Sequence, residues 1–479
     1  MNPRIVTVRN ARLSLWQSAA EEVARTKAVA AGEDASPTAL SQHPLVQGAA
    51  AYVTAEARGV DPLAAAGSDA EAHAAALAKA HHEKAEAKLA NDPDLLARTA
   101  RRIEDLAQRL IHFRRFSDAD LGFTATEEVY MRYWLRSGGK KVYRDWREEG
   151  KSDPNYGVID YRFPPDARIA IIGDWGTGLD DARAMLGEIF ADHRPTAIIH
   201  LGDVYYSGTI EECAGKFTRP FGELFQTTPP VPVFTIPGNH DYYAWGVGFF
   251  DMLGHLNTTD PSWQQQASYF CLRCADDRWQ FLAMDTAQSD GDPLDAKNPT
   301  SPTLRPSEQE WLLDKLAGFP GKTVLCSHHQ VFSFRATVNA PPGPPYLNAG
   351  LRDVFGDRLD RVPAWYWGHE HSLALYQNGL FGVAKGRLIG ASAFEATRVD
   401  DPYKVVYPEV AQQPVGGQPV QVGMVDDFYN HSYAIIDMAR KDPADPVSAS
   451  YYQFPSWGGS EPKALAAGQQ KLLATETLG

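Results

Sequence analysis

Side chains able to ligate metals stand at the ends of five apolar runs. The runs are Ile169-Ala-Ile-Ile-Gly-Asp174-Trp-Gly176, His200-Leu-Gly-Asp203-Val-Tyr-Tyr206, Ile236-Pro-Gly-Asn239-His240-Asp241, Leu325-Cys-Ser-His328-His329 and Trp367-Gly-His369-Glu-His371. Carboxylate, amide, imidazole and phenol groups are oxygen and nitrogen donors to transition-metal ions. Two cations held ~3.5–4 Å apart can carry a bridging hydroxide and clamp a phosphoryl group during in-line attack. Each apolar run reads as a buried strand. The first three and the last contain a glycine where the chain must turn sharply and present the side chain. The expectation is five strand ends converging on one two-metal hydrolytic centre.

Taken together, in this order, the five segments resemble the metallophosphoesterase superfamily, and within it most of all the purple acid phosphatases. That family's pattern is D-x-G, G-D-x-x-Y, G-N-H-[DE], V-x-x-H and G-H-x-H. Here it stands as Asp174-Trp-Gly176, Gly202-Asp203-Val-Tyr-Tyr206, Gly238-Asn239-His240-Asp241, Leu325-Cys-Ser-His328 and Gly368-His369-Glu-His371, with Leu325 in place of Val. The resemblance covers about residues 167 to 440. It implies an α/β fold of the αββα type, two mixed sheets with helices on both outer faces.

The ligand set follows from the match. Asp203 is the bridging carboxylate; Asp174, Tyr206 and His371 complete the first metal, and Asn239, His328 and His369 the second. The implied cofactors are two metal ions, Fe(III) at the Tyr206 site and a divalent iron, zinc or manganese ion beside it. Most metallophosphoesterases carry His two residues after the first Asp, where Gly176 stands here. Tyr206, three residues after Asp203, has the family offset that replaces it; Tyr205 is the adjacent alternative. A phenolate is hard and anionic, and favours Fe(III) over Fe(II).

His240 is the candidate general acid, a role worth typically ~10²–10⁴-fold. Asp241 either orients it or is a surface carboxylate. His329 either touches substrate or packs beside His328. Glu370, between two ligand histidines, points the other way and supports them. His200 and His431 read as core histidines. The implied activity is hydrolysis of a small phosphorylated substrate by a dinuclear metal phosphomonoesterase of the acid phosphatase kind. The same scaffold also serves phosphodiesters and phosphotriesters, because fold does not fix substrate. A third reading makes the N-terminal region a partner-docking module, with the metal domain only weakly active.

Bulk composition agrees with an enzyme of this kind. The chain has 479 residues, 44% of them hydrophobic, and a formal net charge of -14. That charge and the lack of basic tracts argue against nucleic acid as partner. Polyanionic substrates would be repelled unless bound cations reverse the local sign. Four cysteines in so long a chain make no disulfide framework, and Cys271-Leu-Arg-Cys274 reads as ordinary sheet cysteines. No run reaches the ~18 apolar residues of a membrane span. No basic-then-apolar leader opens the chain, so a cytoplasmic protein is expected.

Organisation divides near residue 155. Residues 1–155 are rich in Ala, Glu, Arg and Lys and read as a helical domain of several antiparallel segments; 156–479 hold the motifs. Ser68-Asp-Ala-Glu71 reads as a capping box, Asp92-Pro93 as an N-cap with Pro at the first helical position, and Ser117 as the start of a further helix. His81-His82 reads as part of a solvated helix face. Beyond 166, strands are expected at 168–173, 197–202, 231–236, 269–273, 279–284, 323–327, 364–367, 373–377, 386–390, 431–437 and 447–454. Helices are expected at 180–192, 217–225 and 307–316, the last opened by a Ser307-x-x-Glu310 box. Residues 399–426 and Pro341–Pro345 read as loops, the second a possible rim of the site or a rigid connector.

Overall fold

The structure, a computed structural model, describes residues 9–65, 69–110, 114–137, 140–146, 156–290, 301–438, 446–457 and 470–478. The N-terminal region is helical: α1 (Ala11–Ala31), α2 (Pro37–Leu40), α3 (Pro44–Arg58), α4 (Pro62–Ala65), α5 (Asp69–Leu89), α6 (Pro93–Leu110) and α7 (Arg114–Ser137). Local chemistry sets their ends. Asn10 caps α1 through its side-chain oxygen, and Gly32 ends it in the left-handed conformation at φ 70°. Asp92 caps α6 by accepting the Leu95 N–H at 2.9 Å, ahead of Pro93. Helix α7 starts before Ser117. The capping box at Ser68 and the domain boundary near residue 155 lie outside the described residues.

Leu15, Trp16 and Ala19 of α1, Leu45 and Tyr52 of α3, Leu77 of α5, and Phe123 and Tyr130 of α7 form the core of this region. Ala244 and Trp245, far along the chain, lie inside the same core. His81 and His82 are buried, not solvated. His81 Nδ1 lies 2.7 Å from Glu127, while His82 sits among the rings of Trp16, Tyr52 and Tyr130. A charged composition had suggested an outer face; aromatic neighbours from other helices turned it inward.

The remaining chain builds two sheets. The strands are β1 (Val158–Phe163), β2 (Arg168–Ile172), β3 (Ala197–His200), β4 (Val233–Thr235), β5 (Phe270–Cys274), β6 (Trp279–Ala283), β7 (Lys322–Ser327), β8 (Ala364–Trp367), β9 (Leu373–Leu375), β10 (Gly386–Ile389), β11 (Pro414–Val415), β12 (Gln418–Pro419), β13 (Met424–Val425), β14 (Phe428–Tyr429), β15 (His431–Asp437), β16 (Val447–Phe454) and β17 (Lys471–Leu478). One sheet runs β1-β5-β6-β7-β8-β10-β9, the other β17-β16-β15-β2-β3-β4. Both mix parallel and antiparallel pairs.

Strand β2 shows why the run is apolar throughout. Side chains alternate across a sheet. Ile169 and Ile171 enter the core between the sheets, with Phe281, Leu325 and Trp365 from the other sheet. Ala170 and Ile172 face outward beneath helical residues Met185, Leu186, Phe217 and Phe221. A strand covered on both faces needs no polar alternate positions. The helix Pro306–Ala317 packs Trp311, Leu312 and Leu316 into the first core.

Departures from expectation are local. Strands β1 and β17 had no clear sequence signal, and each is recruited by a neighbour, β5 and β16. The helix expected from 217 begins at Ile210, behind a Thr209–Glu212 capping box. The Ser307–Glu310 box does not form, since Arg305 is the N-cap and makes no side-chain cap bond. The 399–426 loop carries two short ladders, β11 with β12 and β13 with β14. Residues 341–345 fold back on their own flank, Val338 N–H donating to the Pro345 carbonyl at 2.7 Å.

Candidate metal centre

In-register parallel strands deliver the motifs to one edge. Ile172 pairs with His200, and His200 with Thr235, so β2, β3 and β4 stop together. In the facing sheet Ser327 pairs with Trp367, so β7 and β8 do likewise. The following turns are strained. Asp174, Asp203 and His369 adopt φ of 57°, 74° and 69°, each costing on the order of 1–3 kcal/mol for a residue with a side chain. Cross-bonds hold them: Asp174 N–H to the Gly202 carbonyl (3.0 Å), Asp203 N–H to Asp241 Oδ2 (2.9 Å) and His369 N–H to Asp174 Oδ2 (2.9 Å). Two glycines permit the approach. A Cβ on Gly238 would fall 2.0 Å from Asp203 Oδ1, and one on Gly368 2.5 Å from Asp174 Oδ2.

Two groups of donor atoms result. In one, the Tyr205 hydroxyl lies 3.1 Å from Asp174 Oδ1, 3.2 Å from Asp203 Oδ2 and 3.0 Å from His371 Nε2. In the other, Asn239 Oδ1 lies 3.0 Å from His328 Nε2 and 2.8 Å from His369 Nδ1, and the two imidazole nitrogens are 3.1 Å apart. Asp203 joins them, its Oδ1 being 3.5 Å from His328 Nε2.

These spacings suit cations. Ligands ~2.1 Å from one ion stand about 3.0 Å apart at right angles and about 3.4 Å apart in a tetrahedron. The protonation pattern agrees. His328 Nδ1 faces the Leu201 carbonyl at 2.8 Å, which can only accept, so its proton sits there. Its Nε2 therefore aims a lone pair at the oxygens of Asn239 and Asp203, neither of which supplies a proton, and at His369 Nδ1, which presents a lone pair too when that ring is in its Nε2–H tautomer. The Asn239 amide nitrogen is already spent on Tyr243 at 2.6 Å. A buried group of facing lone pairs is costly, and a positive ion at its centre resolves it.

Burial and like charge point the same way. Burial, and then the charge of Asp203, push the Asp174 carboxyl well above its ordinary range. Burial also works against Asp203, yet His328, His240 and the His240 N–H hold it at about 2. The Tyr205 phenol is driven far up by burial and by both carboxylates; a cation among them would reverse that. Burial lowers His328 to about 4, and His369 and His371 well below the ordinary value, with the positive charge of Arg9 adding at both of the latter. Neutral imidazoles are the ligating form. The His371 side chain keeps 21% exposure where Asp174 has none, so the group opens to solvent on the His371 side.

Asp174, Asp203, Asn239, His328, His369 and His371 are all brought together, and Tyr206 is not. Its phenol packs beneath the Lys216 ammonium, 4.8 Å from ring centre, and its neighbours are Glu21, Glu212 and Glu395. The reason is which way the chain faces. Val204 bridges Gly176, and the Tyr206 N–H turns toward Glu212 at 2.5 Å. Successive residues of an extended segment point to opposite sides, and here Tyr205 takes the inward side. Counting the offset from Asp203 had not resolved that.

His240 is buried, its Nδ1 2.5 Å from the Tyr206 carbonyl, its ring between those of Tyr205 and Tyr243 at 4.8 and 4.7 Å. Asp241 is no surface carboxylate. It is 1% exposed and accepts the N–H groups of Asp203 and Gly238, so it orders the Asp203 turn and not the His240 ring. His329 joins the imidazole cluster with His328 and His369, each offering one nitrogen within 4.8 Å of the others. Its nitrogens meet Thr286 Oγ1 at 3.0 Å and Asp290 at 3.1 Å. Glu370 turns away to Ser333 and Gln330. His200 lies in the core on Thr235, and His431 pairs with Asp181 at 2.9 Å. Arg9 and the Asp290 carboxylate had no motif to announce them.

Residues 167–373 match the family described as calcineurin-like phosphoesterase. Among curated proteins, none matches the chain. Two solved structures are similar to it over part of the chain. A dimetal phosphatase from Danio rerio is 11% identical, covers 60% of this chain and 96% of its own, and superposes with a TM-score of 0.37. The phosphopantetheinyl hydrolase PptH from Mycobacterium tuberculosis is 14% identical, covers 52% and 96%, and gives 0.29. Likenesses that distant bear no weight for activity. Residues 167–373 thus match the calcineurin-like phosphoesterase family, and they fold within two mixed sheets.

Proposed function

We propose that the protein is a dinuclear metal-dependent phosphomonoesterase. The observation that carries this is the pair of donor groups sharing Asp203, each spaced to surround one ion. Asp174, Asp203, His371 and Tyr205 would hold one metal, and Asp203, Asn239, His328 and His369 the other. The first set is hard and anionic and suits Fe(III); the amide and imidazoles of the second suit divalent iron, zinc or manganese. When bound, the two ions would supply Lewis-acid activation of water and of the phosphoryl oxygens.

The chain's own residues do the rest. The Tyr206 carbonyl fixes the His240 tautomer with a proton on Nδ1, so the proton available to a leaving group would be carried on Nε2 of the cation. Asp290 and Thr286 set the His329 ring beside His369. The charges of Arg9 and Arg335 both act on His371, at the open side. Extra positive potential there favours the dianion of a monoester over the monoanion of a diester. The test is turnover of an aryl phosphate by Asn239→Ala and His369→Ala, with a bis-aryl phosphate in parallel. Loss in both variants and faster monoester turnover by the parent are expected. Undiminished activity rejects the site, and a preference for the bis-aryl ester rejects the monoesterase reading.

A further inference from the structure

Helix α1 reaches the loop that carries Tyr205. The Lys216 side chain is 2% exposed, with its ammonium 2.8 Å from Glu21 Oε2 and 3.5 Å from Glu212 Oε1. It donates to the Tyr205 carbonyl at 2.9 Å. Glu21 lies in α1, 195 residues before Lys216, and also takes Arg25 at 2.8 Å. Glu212 accepts the N–H groups of Tyr206, Ser207 and Thr209, and the Ser18 hydroxyl of α1 at 3.0 Å. The backbone on both sides of the Tyr205–Tyr206 peptide is thus held by buried charges, while the Tyr205 hydroxyl meets Asp174, Asp203 and His371.

Buried ion groups of this kind are poor devices for stability alone. Apolar replacements of similar volume are often neutral or stabilising, and the best-attested use of such groups is to fix a register. The register at stake here is which tyrosine faces inward.

We propose that Lys216, gripped by Glu21 of α1 and by Glu212, is a positioning residue that holds the Tyr205 phenol over Asp174, Asp203 and His371, making the N-terminal helix a working part of the centre. This rests on the metal reading above. A double-mutant cycle on the full chain tests it. Apo-protein of the parent, Lys216→Met, Tyr205→Phe and the double variant is titrated calorimetrically with Mn(II), and the Fe(III)-loaded forms are scanned for the visible tyrosinate band. Glu21→Gln/Lys216→Gln replaces Lys216→Met in the cycle if the latter does not fold. Lys216→Met should weaken Mn(II) binding ~10–100-fold, as loss of outer support does, and shift the band. In the Tyr205→Phe background it should weaken binding no further. An equal loss in both backgrounds, or parent-like binding by Lys216→Met, overturns the positioning role and leaves the metal site standing. Parent-like binding by Tyr205→Phe overturns this proposal and the Tyr205 ligand assignment together.

Discussion

Exchanging each of the two adjacent tyrosines for phenylalanine separates the centre from its surroundings. Tyr205→Phe removes one oxygen that lies 3.0–3.2 Å from His371, Asp174 and Asp203. Losing an outer partner of a metal ligand typically costs ~10–100-fold in affinity, about 1.4–2.7 kcal/mol. A direct donor should cost at least that. The ring itself packs against Phe394 and His240, and Phe preserves those contacts, so the fold should survive. Tyr206→Phe removes a hydroxyl that lies outside the donor groups, from a residue that is 4% exposed. It should cost only the net worth of a hydrogen bond, about 0.5–1.5 kcal/mol of stability, and leave metal affinity unchanged. The assay is calorimetric titration of both apo-proteins with Mn(II), with thermal melting alongside. After loading with Fe(III), the tyrosinate band should vanish from Tyr205→Phe alone. Loss of metal and colour in Tyr206→Phe, with Tyr205→Phe unaffected, would refute the geometry.

Other consequences are simpler to state. His240→Ala should lower kcat ~10²–10⁴-fold, and more on phenyl phosphate than on a nitrophenyl ester whose leaving group needs no proton; an equal loss on both rejects the acid role. Asp241→Ala strands the buried N–H groups of Asp203 and Gly238, at about 1–3 kcal/mol each, so the melting temperature should fall by several degrees; an unchanged melt contradicts the contact. His82 is held neutral, its pKa lowered from 6.5 to about 4 chiefly by burial. Between those values the unfolded chain binds the extra proton. Stability is therefore full above pH 6.5 and declines toward pH 4, by about 3 kcal/mol for this group. Denaturant unfolding at pH 7 and 4.5 should show it, and His82→Leu should flatten the slope.

The strand ends and their donors were readable because chemistry and secondary structure coincide there. A run such as Ile169–Ile172 announces a strand covered on both sides, and the Gly-Asp that follows announces the turn. Six of the clustered donor side chains follow from that pattern. The choice between Tyr205 and Tyr206 does not, because it depends on which side of one segment faces inward, and that is fixed by Lys216 and Glu212 through contacts with a distant helix. His81 and His82 were misplaced for a similar reason: their burial comes from Trp16, Tyr52 and Phe123, which no local periodicity connects. Arg9 acts through space, and Asp290 through a contact with His329 from far along the chain. Strands β1 and β17 are made by pairing, which a sequence window does not contain.

Trp245 joins the segment that carries His240 to the N-terminal helical core. The residue follows His240 by a single turn and a half of chain, yet its indole is 3% exposed within the helical core, and its carbonyl accepts the Val142 N–H at 2.9 Å. Severing the polypeptide between Ser137 and Tyr156 would leave a socket on one fragment and its plug on the other. Each piece made alone would carry a sticky apolar scar, whereas co-expressed pieces would mate. Truncation is therefore the wrong tool for learning what the first helices contribute; point changes inside the intact chain are the right one.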